Sequence, residues 1–71
     1  MFGDIIFERR KLLNMTQSDL ADAINDICDN KITYQAVGKW EKGYAFPKVS
    51  HLLPLCKVLG LSVDDALSEN T

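Results

Sequence analysis

The apolar residues Leu20, Ala23, Ile24, Ile27 and Cys28 recur at i, i+3, i+4, i+7 and i+8. That spacing lines one face of an α-helix and does not fit the two-residue alternation of a strand. Thr16 stands just before the run, with Gln17 and Asp19 in the first turn behind it. It reads as an N-cap, because its hydroxyl accepts from an orphan backbone N–H while Asp19 complements the positive end of the helix dipole. The pattern predicts a helix over 17–28. Such a helix cannot bury its stripe alone, and a chain of 71 residues buries only about 60% of its unfolded surface. The partners therefore have to be short helices packed closely around it.

The remaining segments supply them. Phe2, Ile5, Ile6, Leu12 and Leu13 predict a first helix over about 3–13, ended by Asn14, a residue that tolerates a left-handed turn. Arg9 sits where that stripe would continue, and reads as a side chain running along the core edge with its charge in water. Asp29, Asn30 and Lys31 make a polar turn, and Thr33 is a second N-cap. Tyr34 to Lys42 forms a third helix with Val37 and Trp40 inward and Gly43 as its C-terminal stop. Gly38, inside that helix, costs about 1 kcal/mol relative to Ala. It marks either close approach of another backbone or a tolerated surface position. A fourth helix carries Val49, Leu52, Leu53, Cys56 and Leu59 and ends at Gly60. Pro54 removes a backbone donor there, so this helix either begins late, with Ser50 as cap, or bends. Ser62-x-x-Asp65 resembles a capping box for a short fifth helix with Val63, Ala66 and Leu67 on its apolar face, and 68–71 frays. No strand, repeat or linker is evident, so the reading is a single all-α domain over 1–71.

Composition narrows the function. The chain is 46% hydrophobic and 25% charged, which is ordinary for a globular domain. It has no apolar run near 18 residues and no secretory leader, so no membrane association is expected and a cytoplasmic location is. Cys28 and Cys56 are too few for a disulfide framework and read as small buried hydrophobes. His51 is the only histidine, and no CxxC or HxxxH spacing exists. No metal, no cofactor and no nucleophilic catalysis is expected, and an enzyme is disfavoured. Eight basic against ten acidic residues give a net charge of −2, which excludes nucleic-acid binding by bulk charge. The charge is unevenly spread. Residues 1–30 carry three basic against six acidic side chains, residues 31–48 four against one, and residues 49–71 one against three. Only the middle segment is positive.

That middle segment holds the second of two consecutive capped helices, with Tyr34, Gln35, Gly38 and Lys39 outward. A major groove about 12 Å wide admits one helix whose exposed side chains offer donors and acceptors to base edges. The motifs Thr16-Gln17-x-x-Leu20-Ala21, Thr33-x-x-x-Val37-x-Lys39-Trp40-Glu41-x-Gly43, Pro47 and Leu59-Gly60-Leu61-Ser62-Val63-Asp64 resemble the phage-repressor and Cro type of helix-turn-helix domain, the XRE family. The resemblance covers about residues 2–67. It implies a compact five-helix, lambda-repressor-like bundle whose helices 2 and 3 form the helix-turn-helix. It also implies a transcriptional regulator, most often a repressor, acting as a homodimer on a near-palindromic double-stranded DNA operator with half-sites about 34 Å apart.

Carried over by motif, Tyr34, Gln35 and Lys39 would face bases, since Gln pairs bidentately with adenine and Lys with guanine. Gln17, Thr33, Lys42, Gly43 and Tyr44 would lie at the DNA backbone, with Lys31 in reach of a phosphate. Tyr34 has an alternative, packing under helix 2. Ala21 matches a position kept small where helices 2 and 3 cross. Arg10 and Glu41 match a structural ion pair between helix 1 and the end of helix 3, in competition with a phosphate contact by Arg10. The chain departs from the family pattern in two places. About six extra residues precede Thr33, so helix 2 should gain a turn through Ile27 and Cys28, leaving Asp29 to Ile32 as connection. Arg9 replaces an apolar residue. A competing reading is a protein-interaction module, suggested by the acidic stripe Asp19, Asp22, Asp26 and Asp29 and a pI near 5.1.

Overall fold

Four helices, α1 (Phe2–Leu12), α2 (Gln17–Ile27), α3 (Tyr34–Lys42) and α4 (Val49–Leu59), form the computed structural model, which describes residues 2–64 and 66. No strand occurs among the described residues. Their ends follow local chemistry. Thr16 accepts from the Asp19 N–H at 2.9 Å, and its own N–H donates to Asp19 Oδ2 at 3.0 Å. This is a reciprocal capping box with Asp in the place of Glu. Asn14, Gly43 and Gly60 take positive φ at the ends of α1, α3 and α4, the left-handed turn that exposes the next segment to a new direction. Thr33 sits at the N-cap of α3, but its side chain makes no capping bond.

Ile6, Leu20, Ile24, Val37, Leu55 and Leu59 are the largest fully buried side chains, with Phe2, Ala21, Trp40, Leu52, Cys56 and Ala66 around them. Helices α1 and α2 both pack on α3, and α4 closes the bundle against α2 and α1. Ala21 is buried on α2, a helix packed directly against α3. No helix among the described residues is long and apolar enough to cross a membrane.

Several expectations are corrected. Four helices form among the described residues, not five. Val63, Asp64 and Ala66 are helical, whereas Asp65 and Leu67, with the rest of the proposed fifth helix and the 68–71 tail, lie outside the described residues. Helix α2 stops at Ile27, and Cys28 is its extended C-cap. Leu12, Leu13, Ile27, Val49 and Leu53 are exposed, because each lies at the end or flank of its apolar stripe. Arg9, half-buried along the core edge, also bonds to the bundle. Its Nε and Nη2 donate to Leu59 O at 3.0 and 2.9 Å, satisfying a carbonyl at the end of α4 that has no partner within the helix. Helix α4 starts at Val49, with Lys48 rather than Ser50 as its N-cap, and runs through Pro54. Pro54 denies Ser50 O its normal i+4 partner, and the Cys28 thiol points at that carbonyl from 3.4 Å. A cysteine read as a small hydrophobe thus stands in for a missing backbone donor.

Candidate nucleic-acid interface

Helix α3 is fixed from behind by one buried ion pair. Arg10 Nε donates to Glu41 Oε2 at 2.6 Å and Nη2 to Glu41 Oε1 at 3.1 Å, while Nη1 donates to Met15 O at 2.8 Å. The two side chains are only 8% and 6% exposed. Bidentate geometry and the extra carbonyl satisfy most of the guanidinium, which is what makes a charge tolerable inside. Arg10 is thereby engaged by Glu41 and Met15 on all three of its nitrogens.

The same carboxylate orients Gln17, whose Nε2 donates to Glu41 Oε1 at 3.1 Å. The Gln17 amide then lies across α3 at Gly38, where an added Cβ would meet it at 3.5 Å. Gly38 therefore faces a side chain at ordinary contact distance. The close backbone approach is at Gly3, where a Cβ would come within 2.5 Å of Trp40 O and Glu41 O. Gly3 lets the start of α1 rest on the last carbonyls of α3. Nothing in its neighbourhood in the sequence marks it, because the approaching backbone is nearly forty residues away.

With its inner side held by Val37, Trp40 and Glu41, α3 leaves Thr33, Tyr34, Gln35 and Lys39 exposed, and Lys42, Gly43 and Tyr44 continue the exposed surface past its end. Tyr34, 54% exposed, borders a shallow recess with Thr16, Gln17 and Ser18 at the start of α2. It is neither packed under α2 nor isolated from it. The N-terminus of α2 and the leading end of α3 thus share one side of the molecule. Lys31 stands apart on the connection, its Nζ 3.5 Å from Asn25 O.

The connection itself depends on residues that sequence reasoning passed over. Asn25, in the last turns of α2, donates from Nδ2 to Ile32 O and accepts at Oδ1 from Ile32 N–H, both at 2.9 Å. His51 Nε2 lies 2.8 Å from Asn30 O, and the Cys28 thiol reaches both Asn30 O and Ser50 O. The available signal was a polar Asn25 beside the apolar stripe, immediately ahead of an enlarged connection.

Two successive helices, joined by a short connection, with the second anchored along its inner edge and polar along its outer edge, define a helix-turn-helix unit. A protein-family model described as helix-turn-helix matches residues 6–65, and the chain belongs to that family, of the phage-repressor and Cro type. Among solved structures it resembles the P22 c2 repressor protein, crystallised in complex with synthetic operator 9T in the presence of Tl+. The two share 30% identity over 90% of this chain and 88% of that one, with a TM-score of 0.79. No curated protein matches the chain.

Proposed function

We propose that this chain is a sequence-specific double-stranded DNA-binding regulator, a repressor, that reads the major groove with α3. The observation that carries the reading is the outer edge of α3. A helix with side chains, about 10–12 Å across, fits a groove about 12 Å wide, and here the exposed edge presents Tyr34, Gln35 and Lys39 while the inner edge is locked to α1 and α2. Gln35 and Lys39 reach base edges and Tyr34 stands at the leading end. Gln17 keeps a second amide hydrogen for a phosphate after serving Glu41. Thr33, with no capping duty, and Lys42, Gly43 and Tyr44 flank the groove on the DNA backbone. Two copies on adjacent half-sites give the affinity one helix lacks. The reading places the chain in the cytoplasm of a bacterium or of a phage-infected cell and assigns it no catalysis.

The test is selection of bound sites from random duplex, followed by competition at moderate salt. A near-palindromic consensus that outcompetes random duplex is the expected result. Equal affinity for both overturns the reading in favour of a protein-interaction module.

A further inference from the structure

Helix α3 is secured at its two ends by different means. At its C-terminal end the Arg10–Glu41 pair ties it to α1. At its leading end there is no such pair, and no backbone–backbone hydrogen bond among the described residues involves Asp29, Asn30, Lys31 or Ile32. The hydrogen bonds to the main chain of Ile32, directly before the N-cap Thr33, come from one primary amide. The Asn25 side chain presents one donor and one acceptor, and both engage the Ile32 main chain at 2.9 Å. This copies the pairing of two backbone peptides and leaves the Ile32 peptide unit little freedom to rotate. Ile32 is itself packed against the core, so the amide joins a fixed helix, α2, to a fixed anchor point of α3.

We infer that Asn25 is the positioning residue for base reading: it fixes the leading end of α3, and with it Tyr34 and Gln35, without touching DNA. This rests on the DNA-reading function proposed above. Direct readout requires bidentate geometry at each base, and a shift near 1 Å in a supporting shell is enough to spoil such a site. Contacts to phosphate are less demanding in direction, since a lysine acts there as a point charge. Loss of Asn25 therefore weakens discrimination and spares non-specific binding.

The experiment compares wild type, Asn25→Ala and Asn25→Asp for affinity to the selected site and to random duplex, with amide hydrogen exchange on the free proteins. Asp keeps the acceptor for Ile32 N–H and loses the donor to Ile32 O. The ratio of selected-site to random affinity should fall about tenfold or more in both variants, since Asn25→Asp sets a carboxylate oxygen against Ile32 O where a donor stood. Random-duplex affinity should change by less than about twofold in the charge-neutral Asn25→Ala. Exchange at the bonded N–H groups of Ile32 and Ala36 should accelerate while Gly38 to Trp40 keep their protection. An unchanged affinity ratio, or equal acceleration along all of α3, overturns the assignment and leaves Asn25 a general stabiliser. If Asn25→Ala does not fold, Asn25→Asp decides by the same ratio and exchange pattern. A wild-type chain that selects no sequence overturns the DNA reading itself. The exchange pattern then decides separately whether Asn25 holds the leading end of α3.

Discussion

Glu41 is the residue on which two others depend. It accepts two bonds from Arg10 and one from Gln17 while nearly fully buried. Replacing Arg10 by Met would leave that carboxylate without its countercharge, a change that typically costs about 3–5 kcal/mol. For a domain this small, the total stability is on the order of 5 kcal/mol, so Arg10→Met should keep only about 0–2 kcal/mol and be at most half unfolded at room temperature. Urea titration of Arg10→Met beside the double replacement Arg10→Met, Glu41→Leu checks this. The double variant should recover much of the loss, and a loss below about 1 kcal/mol for the single variant would mean the pair behaves like a surface bridge. On the outer edge the expectation differs in kind. Gln35→Ala should lose about 1–3 kcal/mol of discrimination at one base pair, whereas Lys42→Ala should weaken all sequences alike. Binding to single-base variants of the selected site separates the two, and a uniform loss with Gln35→Ala would remove Gln35 from base reading. The Arg10–Glu41 pair was implied by the family resemblance. The Gln17–Glu41 bond was not, because it depends on how α1, α2 and α3 meet.

At the level of elements, caps and stripes in the sequence located α1 to α4 to within a residue or two, since those signals are local. Long-range contacts were less legible. The glycine that admits a neighbouring backbone is Gly3, not Gly38, and α4 runs through Pro54 with the thiol of Cys28, the C-cap of α2, at the carbonyl that lacks its i+4 donor. The two glycines should therefore respond oppositely to the same substitution. Gly3→Ala forces a methyl against the carbonyls of Trp40 and Glu41 and should cost about 1–3 kcal/mol by overpacking. Gly38→Ala meets only the Gln17 amide at ordinary contact distance and removes the helical penalty of glycine, a gain of up to about 1 kcal/mol. Chemical denaturation of both variants tests the pair. A destabilised Gly38→Ala would show that the surface over α3 is tighter than 3.5 Å implies.

For the whole molecule, net charge alone gave the wrong emphasis, and the structure explains what to count instead. Both arginines of the chain bond within the bundle, the half-buried Arg9 to Leu59 O and the buried Arg10 to Glu41. Cations left near the proposed interface include the lysines Lys39 and Lys42 on α3, Lys31 before it, Lys48 after it and Lys11 beside the recess at Tyr34, with Lys31 already leaning on Asn25 O. The acidic side chains Asp19, Asp22 and Asp26 remain exposed on α2 and oppose further phosphate contact. Each neutralised phosphate contributes about −0.9 to the slope of log K against log salt. Two to four such lysines therefore give about −2 to −4 per bound copy. Titration of the selected duplex across a series of potassium chloride concentrations measures this slope. A value steeper than about −6 per copy would require cations that the fold has placed inside, and would contradict the commitment of Arg9 and Arg10 to the bundle. A shallow slope with retained discrimination is the signature of a reader that relies on the α3 edge and the Asn25 amide behind it, with charge as a minor contributor.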